Sequence, residues 1–337
     1  MPSSGSADIK SREVQKILVI KWGALGDLIA STPAIKALRQ AYPQAHLTVI
    51  SNPPFQEIAP AGTLADEVLL FKRHGEFWKI LSQVRTNPWD VAVNLSWNSD
   101  RSAVLCFLSG APLRAGSTGP GWLGFLYNRR IPAFAKNRHE IDRHLDIVRT
   151  LEIPAEDARP FVHVSERAKQ VISESLQAQR IKEKGLLVGI HPGASSDEKS
   201  WGVENFGWLG KELIRRFGAD LVITWGPEEE EKATRTALLS GEGAFVSPST
   251  ARIEDLAALI ASCQVYICNC SGPMNVALAV NTPTLALLGP TRPEEWGTYG
   301  EAHRTLKSPT RKAKAIPRDE VWKAVCELLE KQGYKPS

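Results

Sequence analysis

The sequence predicts an α/β chain built from two Rossmann-like domains, and three observations carry that reading. Short apolar runs alternate with helix-length segments along the whole chain, the signature of parallel βαβ units. The pattern restarts near Leu186, where LLVGIHPGASSD opens much as KILVIKWGALGD does at Lys16. Each is a buried strand running into a Gly-Ala loop that ends on an acid. At 337 residues the chain is long enough for two domains of ordinary size.

Taken in order, Ile17–Lys21 reads as a buried strand, and Leu28, Ile35, Leu38 and Tyr42 then recur at helical spacing. Pro33 either starts that helix after Thr32 or kinks it. Leu47–Ile50, Glu67–Phe71 and Val91–Leu95 are further strands. In the second half LLVGI and LVITW are strands on either side of a helix at Val203–Phe217. A helix at Glu228–Leu239, a short strand at Ala244–Val246 and a helix at Ile253–Ala261 follow. VYIC is a strand, Gly272–Val280 a helix, TLALLG a strand and Arg318–Lys331 the last helix. Residues 1–15 are a polar leader without an apolar signal core, expected to be disordered. Residues 16–160 form the first domain, 161–185 a charge-rich helical linker region, 186–316 the second domain, and 317–337 a C-terminal helix.

Composition narrows the function classes. Hydrophobic residues make up 43% and charged residues 23%, which suits globular domains with sizeable cores. A net charge of +4 is too weak to argue for nucleic acid but fits anionic ligands. No apolar run reaches the ~18 residues of a membrane span, and a cytoplasmic protein is expected. The five cysteines are odd in number and scattered, which suits reduced thiols.

Open α/β sheets bind ligands at the carboxyl ends of their strands, so two such domains are expected to line a cleft with post-strand loops. In KWGALGDLIASTPAI, Gly23 and Gly26 permit tight backbone, and Asp27 either caps the helix or serves as a general base. The third glycine of a dinucleotide fingerprint is missing. In GIHPGASSDEKSW, Gly193, Ala194, Ser195 and Ser196 supply N–H groups and hydroxyls, and Lys199 a cation. A pyrophosphate suits this loop, and so does a plain βα turn with a solvated lysine. His191 reads as a structural histidine. In ITWGPEEEEK the acids either simply complement a helix dipole, or one of them also faces inward to accept from a ribose diol. In ICNCSGPMN, Ser271 and Pro273 mark a helix start that attracts phosphate. Cys263, Cys268 and Cys270 lack a companion cluster at metal-site spacing and read as thiols. LGPTRPEEWGTYG, with Thr291 and Trp296, either covers a ligand or supports the preceding loop. Arg129, Arg130, Lys136, Arg138, Arg143 and Arg149 face only Glu140, Asp142 and Asp146. That run is either a solvated face or a site for an anionic acceptor. GSTGPGWLGFLYNRR suits a loop touching a lipid surface as well as a partly buried one.

Together these loops resemble glycosyltransferase family 9, the ADP-heptose:lipopolysaccharide heptosyltransferases. The carriers, in order, are GALGDLIASTPAIKALRQAYP, HPGASSDEKSWGVENF, WGPEEEE, CNCSGPMNVALAVNTPTLALLGPT and EEWGTYG, and the resemblance covers most of the chain, roughly Lys16 to Lys331. The resemblance implies a GT-B fold, two Rossmann-like domains facing across a cleft, with residues 317–337 packing back on the first. It implies inverting transfer from an ADP-sugar to a lipopolysaccharide-core or lipid-linked glycan acceptor, without a metal or other cofactor. It implies a bacterial enzyme at the cytoplasmic face of the inner membrane. Asp27 falls on the catalytic aspartate and Lys199 on the lysine that meets the donor phosphates. Donor binding would fall to Gly193, Ala194, Ser195, Ser196, Glu229, Thr250, Ala251, Cys270, Ser271, Gly272, Pro273, Met274 and Asn275. Acceptor binding would fall to Gly26, Arg129, Arg130, Arg138 and Arg143. One departure stands out. The family pattern Asp-(Ser/Thr)-Gly-x-x-His reads here Cys270-Ser271-Gly272-Pro273-Met274-Asn275, without acid or imidazole. That keeps two alternatives to an active transferase open: a weak or inactive nucleotide-sugar-binding protein, and a GT-B epimerase.

Overall fold

The computed structural model describes residues 13–71, 76–96, 99–118, 122–131, 137–179, 181, 185–250 and 252–336. It separates into two units, Met1–Ala158 and Arg159–Ser337.

The first unit runs β1 (Lys16–Ile20), α1 (Leu25–Ala41), β2 (His46–Ser51), α2 (Pro54–Ile58), β3 (Glu67–Leu70), α3 (Phe77–Arg85), β4 (Val91–Asn94), α4 (Asp100–Leu108), β5 (Leu113–Ser117), β6 (Arg129–Ile131) and α5 (Glu140–Arg149). The strands pair in parallel in the order β3-β2-β1-β4-β5-β6. Ile17, Leu18, Val19 and Ile20 are all 0% exposed, because a central parallel strand is covered on both faces. That is why β1 reads as an unbroken apolar run rather than an alternation.

Pro33 neither starts nor ends its helix; it sits inside α1. Its ring removes one N–H from the ladder, which would orphan the carbonyl of Ile29. The Thr32 hydroxyl donates to that carbonyl at 2.7 Å, so the interior proline leaves no unpaired acceptor there.

The second unit runs α6 (Glu166–Ala178), β7 (Leu187–His191), α7 (Val203–Phe217), β8 (Asp220–Ile223), α8 (Glu230–Ser240), β9 (Ala244–Val246), α9 (Ile253–Ala261), β10 (Val265–Asn269), α10 (Gly272–Ala279), β11 (Thr284–Leu288), α11 (Pro293–Trp296), β12 (Arg304–Lys307) and α12 (Arg318–Glu330). Its sheet order is β12-β11-β10-β7-β8-β9. Within each unit the first strand is therefore flanked by the second on one side and the fourth on the other. The order reverses at β1/β4 and at β7/β10, and such switch points open a crevice at the strands' carboxyl ends.

Two boundary expectations change. Segment 161–185 is no mere linker region. Ala168 and Ile172 of α6 are buried with Leu187, Val222 and Leu259 of the second unit, and Arg167 pairs with Glu254 at 2.9 Å. Likewise α12, expected on the first domain, buries Val321, Val325, Leu328 and Leu329 in a core shared with Leu213 and Leu285 of its own unit. An amphipathic helix settles where its apolar stripe finds a matching surface, and here that surface is the second sheet.

Candidate active site

At the first switch point the chain leaves β1 through Lys21 and Trp22. Trp22 N–H donates to Ser96 Oγ at 2.9 Å. Asn52 fastens the turn twice, accepting from Gly23 N–H and donating to Gly23 O, both at 3.0 Å. Asp27 then stands in the first turn of α1, partly exposed, with Gly26 beside it. Its Oδ2 accepts from Ala24 N–H at 3.1 Å, so the cap reading holds. A Cβ on Gly23 would lie 2.7 Å from Asp27 Cβ, so glycine is what lets the carboxylate sit over this turn. The cap occupies one carboxylate oxygen. Oδ1 makes no hydrogen bond among the described residues, which keeps a second function for Asp27 chemically open.

The basic stretch divides. Arg129 and Arg130 lie on the edge strand β6, which the sequence reading missed because charged side chains interrupt a short edge run. Strands β5 and β12 escaped for similar reasons of length and polarity. Arg138 binds both oxygens of Asp146, at 2.7 and 2.8 Å, and Arg143 donates to Glu140 at 3.2 Å. Much of the charge on and beside α5 is thus matched locally. Lys136 lies outside the described residues.

In the second unit His191 ends β7 fully within the protein. Its Nδ1 lies 3.1 Å from Thr224 O, and a carbonyl only accepts, so Nδ1 carries the proton. Nε2 then faces Glu229 Oε2 at 3.5 Å. Burial holds the imidazole below its usual pKa, against the pull of Glu229 and the bond to Thr224. Thr224 is itself held by Tyr266 Oη at 2.7 Å. His191 is therefore a structural histidine, as its position at a strand end suggested.

Glu229 is the inward member of the acidic run. Glu228 takes a left-handed turn at φ 65°, Glu229 stands at the N-cap position of α8 without a side-chain cap bond, and Glu230 and Glu231 fill the helix's first turn. Glu229 Oε2 accepts from Gly226 N–H at 3.2 Å. The same oxygen lies where a side chain at Gly193 would go, 2.1 Å from a built Cβ. Gly193→Ala must therefore displace Glu229, the far end of a flexible side chain. The expected result is a donor-nucleotide affinity about tenfold weaker, read by calorimetry, with a near-native thermal midpoint. Unchanged affinity would remove Glu229 from the site.

One residue that the sequence reading passed over organises this loop. Asn269, the last residue of β10 and 0% exposed, accepts from Trp201 N–H at 3.0 Å. Its Nδ2 donates to the carbonyls of Pro192 at 3.1 Å and Gly193 at 3.0 Å. The amide joins the β7 loop, Trp201 and the end of β10. The available signal was an asparagine closing an otherwise apolar run, VYICN. Beyond the clamped backbone, Ala194 is half-buried, Ser195 and Ser196 are exposed, and Lys199 is half-buried.

Cys270 follows Asn269. Burial pushes its thiol pKa up, opposed by a hydrogen bond with Thr291 and by the nearby charges of Lys199 and Lys307. Lys307, at the end of β12, also donates to Gly289 O. Ser271 stands at the N-cap position of α10 but makes no side-chain cap bond, its hydroxyl donating instead to Asn269 O at 3.3 Å, and Gly272 and Pro273 open the helix. Met274 is 1% exposed, so its side chain belongs to the core and only its backbone can face a ligand. Asn275 is buried and donates to Ser271 O at 3.4 Å. Thr250 is half-buried in the loop before α9, and Ala251 lies outside the described residues. Among the described residues no group of three or more His, Cys, Asp or Glu side chains could hold a metal ion.

Residues 77–334 match the family model described as glycosyltransferase family 9 (heptosyltransferase). Lipopolysaccharide heptosyltransferase 2 of Escherichia coli is 28% identical over 305 residues, covering 83% of this chain and 84% of that protein. A family 9 glycosyltransferase from Veillonella parvula has the same fold, with a TM-score of 0.84 at 21% identity, covering 95% of this chain and 100% of that one. The structure of E. coli ADP-heptose lipopolysaccharide heptosyltransferase II aligns with a TM-score of 0.79 at 24% identity, covering 95% and 100%. The paired Rossmann-like units are those of a GT-B glycosyltransferase, and the chain belongs to glycosyltransferase family 9.

Proposed function

We propose that the enzyme transfers a heptose, or a similar sugar, from an ADP-sugar to a lipopolysaccharide-core or related glycan acceptor, with inversion and without a metal ion. The carrying observation lies at the β7/β10 switch point: Lys199 and Lys307 are near Cys270 at the start of α10, and Glu229 lies against Gly193, whose carbonyl Asn269 ties to the end of β10. A carboxylate suits a ribose diol, while helix N–H groups and cations suit a diphosphate. The similarity to the E. coli heptosyltransferases supports the sugar and acceptor class.

In this reading Asp27 takes the acceptor hydroxyl's proton as that oxygen attacks the anomeric carbon. The new C–O bond forms on the face opposite the leaving group. The bond to phosphate breaks, and its electron pair leaves on ADP, whose charge Lys199 and the α10 N-terminus stabilise. Ser195, Ser196, Ala194 and the backbone of Gly272 to Met274 would meet the donor, with Thr250 near its base. Gly26, Arg129 and Arg130 would meet the anionic acceptor, with Arg138 and Arg143 shaping that surface through their ion pairs. No helix among the described residues is long and apolar enough to cross a membrane. Trp78 and Phe125, 74% and 69% exposed on the first unit, support peripheral contact with the cytoplasmic face of the inner membrane.

A second reading rests on Cys270 and Asn275. Burial favours the protonated thiol and the amide carries no charge, so the α10 start lacks an ionised side chain of its own. This favours a nucleotide-sugar-binding protein with weak turnover. The experiment titrates ADP-, GDP- and UDP-sugars against the thermal midpoint and assays transfer from ADP-heptose to a lipopolysaccharide core. At 100 times Kd, a bound donor adds about 2.7 kcal/mol of stability. An ADP-sugar shift with transfer supports the first reading and a shift without transfer the second. No shift with any ADP-sugar rejects both.

A further inference from the structure

Trp22 stands just past the carboxyl end of β1, half-buried at the switch point with β4, and the transfer chemistry above gives it no part. The residue before it, Lys21, is buried and fixed, its Nζ donating to Leu95 O at 3.2 Å and lying 3.0 Å from His144 Nε2. Trp22 itself is held at both ends. Its backbone N–H donates to Ser96 Oγ at 2.9 Å and its indole Nε1–H to Ser99 Oγ at 3.2 Å. Those two serines are anchored in turn. Ser96 N–H donates to Asn94 Oδ1 at 3.0 Å, and Ser99 Oγ accepts from Ser102 N–H at 3.3 Å as the cap of α4. Asn94 Nδ2 donates to Ser102 Oγ at 2.9 Å and to Tyr127 Oη at 2.5 Å. Asn94, Ser96, Ser102 and Tyr127 are all buried, so the support is rigid. Phe71, just past β3, meets the indole with ring centroids 5.6 Å apart and planes inclined by 31°.

Two tryptophans of the cores make the contrast. Trp89 and Trp201 also bond their indole N–H, to Val84 O at 2.7 Å and to Ile316 O at 2.9 Å. They are 5% and 0% exposed, so their rings are wholly taken up by packing. Trp22 is held as firmly and keeps part of its surface open. A ring already immobilised loses little side-chain freedom when a ligand covers it. Its N–H is bonded within the protein, so what it offers a ligand is an apolar aromatic surface. A pyranose ring matches that surface, because its C–H groups form an apolar face and its hydroxyls lie at the rim. A phosphate does not.

The same turn carries Asp27. Gly23 follows Trp22, and a Cβ on it would lie 2.7 Å from Asp27 Cβ and 3.3 Å from Asp27 Oδ2. Asn52 clips that glycine through both its N–H and its carbonyl. Indole and carboxylate are therefore held on one short, fixed piece of chain at the crevice of the first sheet.

We propose that Trp22 is a binding platform for the acceptor: a sugar ring of the glycan packs its C–H face on the indole and is thereby oriented toward Asp27. The inference rests on the reading that the acceptor enters the first unit and gives its proton to Asp27.

The test measures KM for a delipidated lipopolysaccharide core oligosaccharide and for ADP-heptose. Trp22→Leu keeps apolar bulk without an aromatic face. It is expected to raise the oligosaccharide KM about tenfold and the ADP-heptose KM less than about twofold. Trp22→Phe restores a ring while giving up the bond to Ser99, and is expected to recover most of that loss. A purely packing role would lower the thermal midpoint and the active fraction in both variants and leave both KM values alone. A second measurement needs no turnover: fluorine NMR of the enzyme carrying fluorotryptophan. The Trp22 resonance, identified by its absence from Trp22→Phe, is expected to move with the oligosaccharide and to stay in place with ADP. That titration decides by itself if Trp22→Leu does not fold, or if the native enzyme gives no transfer, which is a failure of the proposed function. The assignment of Trp22 is overturned by an oligosaccharide KM within about twofold of native in Trp22→Leu, or by an equal rise in the ADP-heptose KM. A Trp22 resonance that the oligosaccharide leaves unmoved overturns it as well. Transfer retained in Asp27→Asn would overturn the base, a separate result.

Discussion

Asp27→Asn is expected to lower transfer about 10³-fold, the middle of the range for losing a general base. Asparagine keeps an oxygen that can accept from Ala24 N–H, so the cap at 3.1 Å survives and stability should change by less than about 0.5 kcal/mol. The substitution thereby separates the two roles that one carboxylate could play. Asp27→Ala removes both, adding a stability loss of about 1 kcal/mol to the lost turnover. Steady-state transfer and thermal melts of the two variants measure this directly. If Asp27→Asn retains more than about a tenth of native turnover, Asp27 is a cap and the base lies elsewhere.

Asn269→Ala should have the largest effect on stability. The side chain makes three buried hydrogen bonds, to Trp201 N–H and to the carbonyls of Pro192 and Gly193. Alanine leaves all three partners without it in a site too buried for easy hydration. Each orphan costs about 1–3 kcal/mol, and partial relaxation brings the expected loss to roughly 3–5 kcal/mol by denaturant titration. Nucleotide affinity should fall with it, since the carbonyls released flank Gly193. Asn269→Asp refines the point. It keeps the acceptor for Trp201 N–H but sets a carboxylate oxygen against two carbonyl oxygens, so it is expected to be at least as destabilised. A near-native Asn269→Asp would mean that the carbonyl bonds do not hold the loop.

Both residues bear on what a sequence discloses. Asp27 was legible because its neighbours in sequence are its neighbours in space: the glycines and the helix start lie within a few residues. The same holds for Glu229, Ser271 and the strand of Ile17–Ile20, whose unbroken apolar run follows from burial on both faces. Asn269 was not legible, since its partners are 68 to 77 residues away. Lys21 reads as an ordinary charged residue after a strand until His144, 123 residues on, is seen against it. Strands β6 and β12 lack a periodic signal, because short edge strands have little buried surface to impose one, and β5, LRAGS, carries a single large apolar residue.

The sequence by itself determined two doubly wound domains, the post-strand loops proposed for the chemistry, and family 9 membership through motifs set in order along the chain. These depend on local periodicity and on short spans of chain. Only the tertiary structure decided which unit takes α6 and α12, that Pro33 is tolerated inside α1, and that Met274 turns into the core. It alone brought Glu229 against Gly193 and Lys21 against His144. Such outcomes depend on which surfaces and which polar groups meet once distant segments pack, and neither composition nor spacing records that.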